Sequence, residues 1–296
     1  MQSGPKVAVI IPCYNREKFI AQTVESVLSQ SYPNIELVVV DDGSTDSSRR
    51  VLDNYKDRIR ILEHPGRVNK GQSAALNLGI RSTQSDYIAF LDSDDLFAPD
   101  KIEKQVAFLE AHPEIGLVYS NGHAIDENGQ ILYRIYDENH YEESDPNRVL
   151  LDCYFLLPNN SLLRRNVLSK AGLFDESFRS AQDHDMAIRV AEVTRIAYLN
   201  EPLFFYRRHK DSISRRSAML RWKNGFKILK KARSRYSYRL PTIIKRLAVL
   251  NFRLGQCYRE EGQYIKAVSY FIAAGICDPL RSMKVLAGRE KVSGPH

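Results

Sequence analysis

Val7-Ala8-Val9-Ile10-Ile11-Pro12-Cys13-Tyr14-Asn15 and Val38-Val39-Val40-Asp41-Asp42-Gly43-Ser44 are β-branched apolar runs that stop abruptly at polar residues. Tyr87-Ile88-Ala89-Phe90-Leu91-Asp92-Ser93-Asp94-Asp95 has the same form, and Asn69-Lys70-Gly71 through Asn77-Leu78-Gly79 lies between. A buried parallel strand running into a loop reads this way. In open α/β sheets the ligand sits at the carboxyl edge of such strands. Two of these ends carry adjacent carboxylates, so the ligand either tolerates acid groups or brings a metal that needs them.

Working outward, strands over 7–12, 35–40, 59–62 and 87–91 alternate with helical patterns over 46–55, 71–80 and from Pro99 to Ala111. A further helix runs to about Ser31, with Asn15 as its cap and Ile20, Val24, Val27 and Leu28 as its apolar stripe. This alternation predicts a doubly wound sheet. Beyond it, strands are expected at 117–121 and 130–136 around an Asp126–Gly129 turn, and edge strands at 196–199 and 203–207. Short helices are expected at 167–171, stopped by Gly172, and at 185–191. An element begins at Val149, and after Ser214 the pattern is almost wholly helical. Leu254-Gly255, Tyr258, Gly262, Ala267, Phe271, Ala274 and Pro279 fit one tetratricopeptide-like repeat, with Asn251 where Trp is usual. A single copy is too little for a solenoid, which favours a helical hairpin.

The four motifs, in order and spacing, resemble the signature of the inverting family-2 glycosyltransferases, whose fold is GT-A. The resemblance covers about residues 5–214. It implies an α/β class with a GT-A-type, Rossmann-like, mostly parallel sheet with helices on both faces, followed by a C-terminal helical extension. It also implies a donor site lined by Pro12, Tyr14, Asn15, Glu17, Asp42, Lys70, Asp92 and Ser93, with Asp42 reading a uracil imide. Asp94, Asp95 and His209 would hold Mg2+ or Mn2+. Hard cations take oxygen ligands, and three unneutralised acids at one strand end would repel one another. Asp41 is divided between ligand recognition and turn chemistry, for which Asp-Gly-Ser is ordinary. Lys70 is divided between offsetting phosphate charge and simple solvation. Gln182-Asp183-His184-Asp185 resembles the family's acidic motif, usually Glu-Asp-x-Asp, which makes Asp183 the catalytic base. Asp185 and Arg189, at i and i+4, read as a structural ion pair. Asn159-Asn160-Ser161 and Gly172-Leu173-Phe174-Asp175 match the acceptor half, and Arg207 to Ser212 a closing loop around His209.

The chain has 296 residues, 43% hydrophobic and 27% charged, which is ordinary for a globular protein. Cys13, Cys153, Cys257 and Cys277 show no metal-type pairing and read as free thiols of a reducing compartment. Neither a signal peptide nor an apolar stretch of about 18 residues is evident, so a cytoplasmic protein, at most at the inner face of the membrane, is expected. Net charge is +7, yet Ser212–Arg259 holds fourteen Lys and Arg and no acid, leaving −7 elsewhere. That segment, with Trp222, Phe226, Ile228 and Leu229, suggests peripheral contact with an anionic membrane rather than a specific nucleic acid. The expected organisation is a nucleotide-sugar half over 1–112, an acceptor half over 113–214 and a basic helical extension over 215–296. The acceptor class is a glycan, lipid-linked or cell-envelope hydroxyl. One rival is a sugar nucleotidyltransferase, which would want a Gly-rich basic loop after the first strand. The other is a non-catalytic scaffold, against which the intact acids speak.

Overall fold

A computed structural model describes residues 4–152, 155, 157–209 and 218–287. The described residues fall into two compact units, one drawn from 1–144 and 155–209, the other from 145–154 and 210–296. Cys153, the Lys210–Ser214 part of the loop motif and the start of the basic segment lie outside the described residues.

In the first unit, β1 (Val7–Cys13) lies between β2 (Ile35–Asp41) and β4 (Tyr87–Phe90), with β3 (Arg60–Glu63) outside β2, all parallel. Cys13 pairs with Asp41, so the first two motifs end side by side. Alternating side chains pack both faces. Val7, Val9, Ile11 and Val39 meet α1 (Ile20–Leu28) and α4 (Lys101–Ala111), while Val38 and Val40 meet Ala75 of α3 (Gln72–Ser82). Burying each such aliphatic side chain gains roughly 1.5–3 kcal/mol. α3 approaches so closely that a Cβ on Gly79 would lie 2.4 Å from the Ile10 side chain. α2 (Ser48–Asp53) completes this half.

The sheet then changes character. β8 (Ser161–Arg164) runs antiparallel between β4 and β6 (Ile115–Ile125), and β9 (Arg195–Arg207) runs parallel to β6. The two-residue β5 (Leu96–Phe97) closes the outer side of β9, and β7 (Ile131–Arg134) forms a hairpin with β6. Two expectations change here. The predicted edge strands at 196–199 and 203–207 are one internal strand, and β8 was not foreseen. Asn15 does not cap α1, which begins at Ile20; it takes a left-handed φ of 52° in the preceding loop.

The second unit holds helices Ala218–Arg235, Leu240–Glu260, Tyr264–Cys277 and Pro279–Leu286, with Pro146–Leu151. Gly225 and Gly255 allow close packing: a Cβ on either would lie under 3 Å from Leu250 or Phe271 respectively. Gly262, at φ +74°, turns Leu240–Glu260 into Tyr264–Cys277, and Tyr258 stacks on Tyr270. This is a helical hairpin, one copy among the described residues. Ile228 and Leu229, expected to form a shallow surface face, are buried within the unit.

Candidate active site

The carboxyl ends of β1, β2 and β4 gather the motif residues. After β1, Asn15 Oδ1 accepts from the Thr45 amide (2.8 Å), and its own amide nitrogen donates to Ser44 Oγ. Glu17 Oε2 accepts from the Ser47 amide (2.8 Å), while the Glu17 amide donates to Asp46 Oδ2 (3.1 Å). Asn15 and Glu17 thus sew the first loop to the start of α2. Pro12 is buried in β1, and Tyr14 is exposed at its mouth.

At the end of β2 the two acids take different work. Buried Asp41 accepts from the Ser44 amide (2.9 Å), the turn geometry of an Asp-Gly-Ser sequence. Asp42 accepts from the Lys70 and Gly71 amides at 2.8 and 2.7 Å, holding the third motif against the second. The carboxylate is buried, and His64 Nε2 stands 3.6 Å from its Oδ1. The Lys70 side chain is exposed. Gly43, at φ +77°, passes so close to the 67–69 backbone that a Cβ would lie 2.6 Å from the Arg67 carbonyl oxygen.

The acids after β4 diverge more sharply. Asp92 accepts from Gln72 Nε2 (2.7 Å) and Asn159 Nδ2 (3.2 Å), and its amide donates to Asn159 Oδ1 (2.7 Å). Burial, then the Asp94 charge, pushes the Asp92 carboxyl up to about 7. Asp94 Oδ2 receives both Arg16 Nε (3.0 Å) and His209 Nε2 (2.9 Å). Burial would raise the Asp94 carboxyl, but the His209 hydrogen bond and the Arg16 charge outweigh it and hold the group below its usual range. Asp95 is 1% exposed and turned inward. Its Oδ1 accepts from the Arg207 amide (2.6 Å) and its Oδ2 has no hydrogen-bond partner among the described residues. Burial beside Asp94 and Asp92 pushes the Asp95 carboxyl well above its usual range. Asp95, expected to ligate the metal beside Asp94, thus has one oxygen engaged by the backbone and the other uncommitted. Ser93 is buried in the same turn.

Asp183 stands half-buried in the first turn of helix Gln182–Val193, close enough for its charge to raise the Asp92 carboxyl. Among the described residues no hydrogen bond reaches the Asp183 carboxylate, which leaves its oxygens open to a ligand. Ala181, before it, is held at φ 66°, an uncommon conformation for a residue with a Cβ. Gln182 Nε2 donates to Gln72 Oε1, and Gln72 in turn donates to Asp92. A Glu at 182 could not donate in that chain. Arg189 Nε donates to Asp185 Oδ2 (2.8 Å), with Arg189 Nη2 also 2.8 Å from that same oxygen, and Arg189 Nη1 donates to the Ala171 carbonyl. That pair is structural.

Other residues hold the site together, of which Arg16 and Arg179 had no role in the sequence reading. Buried Arg207 donates to the carbonyls of Asp94 (2.9 Å) and Glu127 (3.0 Å) and to Gln22 Oε1 (2.8 Å), locking the acidic turn to the end of β9. Arg16 directly follows the first motif, a signal that was available. Arg179, exposed, lies against Gly71: a Cβ there would be 2.2 Å from Arg179 Nη1. Asn77 belongs to packing. It accepts from the Phe174 amide and donates to the Phe174 carbonyl, both at 2.9 Å, and to Glu176 (2.8 Å).

Asp94 and His209 converge as an oxygen and a nitrogen donor 2.9 Å apart, with Asp92 alongside. Among the described residues no group of three or more His, Cys, Asp or Glu forms a cage on its own. A hard divalent cation that shares its shell with substrate phosphates needs only one or two protein carboxylates, so this partial donor set fits Mg2+ or Mn2+ arriving with a diphosphate.

A family model described as glycosyl transferase family 2 matches residues 8–172. RT0329 of Rickettsia typhi, described as an uncharacterized glycosyltransferase, is 32% identical over 209 residues, 70% of this chain and 65% of the relative. The match therefore spans just under two thirds of that relative's own length. S. aureus TarS (residues 1–349), solved with UDP-GlcNAc, superposes with a TM-score of 0.63 at 18% identity, covering 96% of this chain and 92% of that one. The mannosyltransferase PcManGT of Pyrobaculum calidifontis, solved with GDP-Man and Mn2+, gives 0.64 at 20% identity, covering 96% and 79%. At such identities the likeness is one of fold, and it is the GT-A architecture.

Proposed function

The chain belongs to glycosyltransferase family 2, and from that premise we propose that it is a metal-dependent inverting hexosyltransferase. It moves a sugar from a nucleotide donor, UDP-linked, to a hydroxyl on a glycan, lipid-linked or cell-envelope acceptor at the cytoplasmic face of the membrane. The observation that carries this reading is the open Asp183 carboxylate, near enough to Asp92 to raise its carboxyl, with Asp94, the partner of His209, in the same acidic turn as Asp92. A base free of hydrogen bonds thus adjoins the place where a diphosphate's charge can be met.

In this reading Pro12, Tyr14, Asn15 and Glu17 shape the base and ribose site, and Asp42 accepts from the nucleobase. Lys70 and Arg179 face the diphosphate, and Asp92 with Ser93 faces the sugar side. Asp94 and His209 would hold the cation. When bound, Mg2+ or Mn2+ offsets negative charge on the leaving diphosphate. Asp183 takes the proton from the acceptor hydroxyl as that oxygen attacks C1. The bond from C1 to the phosphate oxygen breaks as the new bond forms, its electron pair leaves with the diphosphate, and the anomeric configuration inverts. Asp95 and Arg207 hold Asp94 in place throughout.

Calorimetry with UDP tests the donor half. Binding is expected to depend on Mn2+ and to fall at least about tenfold in Asp94→Ala, where the diphosphate faces the remaining acids without its cation ligand. Equal UDP affinity with and without Mn2+, or in the variant, would remove Asp94 from this role.

A further inference from the structure

The second unit carries an apolar stripe with no protein partner among the described residues. On helix Tyr264–Cys277, Ile265, Val268, Ile272 and Ile276 are 90%, 55%, 58% and 77% exposed. Their spacings of three and four place them along one side of the helix. The other side is used: Ala267 and Ala274 are buried, and Phe271 packs on Gly255 of the preceding helix. Leu280 and Met283 on the next helix are also exposed, at 74% and 66%. A run of solvent-facing aliphatic residues of this kind marks an interaction surface.

Charge identifies what fits it. Lys266, Arg281 and Lys284 accompany the apolar residues along these two helices. Residues 218–287 together hold fifteen Lys and Arg against three acids, Glu260, Glu261 and Asp278. The same unit has a cavity of about 410 Å³ whose wall combines Phe226, Leu229 and Leu247 with Lys230, Arg233 and Ser234, a lining suited to an anionic amphiphile. Segments 210–217 and 288–296 contain only Ile213 and Val292 as large aliphatic residues, too little to cover the stripe. A second copy would set one strongly cationic body against another. Nucleic acid would answer the charge but leave the aliphatic side chains in water. An anionic lipid surface answers both. No helix among the described residues is long and apolar enough to cross a membrane, so contact is in the interface plane.

We propose that helix Tyr264–Cys277 lays Ile265, Val268, Ile272 and Ile276 into the surface of an anionic bilayer, with Lys266, Arg281 and Lys284 meeting the headgroups. This deepens the cytoplasmic-face assignment, and it stands apart from the transfer chemistry.

The test is co-sedimentation of the full chain with phosphatidylcholine vesicles, with and without phosphatidylglycerol, at physiological salt. The expected result is pelleting with the anionic vesicles alone. It should weaken at least about tenfold in Ile272→Ser/Ile276→Ser, in the single variant Ile265→Ser, and in Lys266→Gln/Arg281→Gln/Lys284→Gln. Melting temperatures and UDP affinity are expected to stay at wild-type values, so failure here leaves the donor-site reading intact. Absent pelleting, equal pelleting with neutral vesicles, or undiminished binding by the folded Ile265→Ser chain would overturn the proposal. So would a wild-type dimer that Ile272→Ser/Ile276→Ser disperses, which would assign the stripe to a second copy.

Discussion

Asp94 and Asp95 are neighbours in sequence and opposites in chemistry. One carries a guanidinium and an imidazole on a single oxygen, while the other is sealed inside with only a backbone partner. The motif Asp92-Ser93-Asp94-Asp95 made the acids legible, but their division of labour depends on Arg16, His209 and Arg207, which come from remote positions in the chain. Lys101 shows a similar dependence. It is fully buried, donates to Gln105 Oε1 (2.6 Å) and lies 4.2 Å above the Phe97 ring. Burial holds its amine well below the usual lysine range. Below the ordinary lysine range the unfolded chain therefore holds this proton more firmly than the folded chain does, so the group makes stability rise with pH toward that range. Lys101→Met should flatten the slope of unfolding free energy on the approach to the ordinary lysine value of about 10.4, between about pH 8 and pH 10. Denaturant melts across that range check this, and an unchanged slope would contradict it.

At the scale of elements, the parallel half was legible because buried parallel strands announce themselves as unbroken apolar runs. The antiparallel half was not. β8 is four residues long and follows an asparagine-rich turn, which masks it. β9 read as two strands because Pro202 interrupts it, yet the break is absorbed in the sheet. Ser120 pairs with Leu199 and Asn121 with Pro202, so Asn200 and Glu201 bulge out of register. The helix bearing Asp183 follows a loop that α3 holds through Asn77, 1% exposed and making three hydrogen bonds to Phe174 and Glu176. Asn77→Ala leaves buried backbone groups of Phe174 unpaired. A loss of about 2–4 kcal/mol is expected, read as a melting temperature lower by on the order of 5–10 °C. Turnover should fall more than UDP affinity, because the donor loops keep their own ties. A melting temperature within a degree of wild type would show that the loop is held by other means.

For the whole molecule, the gathering of the motif residues at the β1, β2 and β4 ends was readable because each motif follows directly on an apolar run that forms its strand. The basic helices were readable as charge, but the face they offer was not. Ile228 and Leu229 turned inward, and the exposed aliphatic residues lie on the following hairpin helix, where a repeat-like pattern suggested packing. The central claim is that Asp183 is the base of a nucleotide-sugar transfer assembled at the β1, β2 and β4 ends. Its most direct measurement is nucleoside diphosphate release from a panel of sugar donors with Mn2+ and a hydroxyl acceptor, comparing wild type with Asp183→Asn. The account predicts release by the wild type that falls at least about 100-fold in the variant, with UDP affinity changed no more than a few-fold. Near-normal release by Asp183→Asn would contradict it.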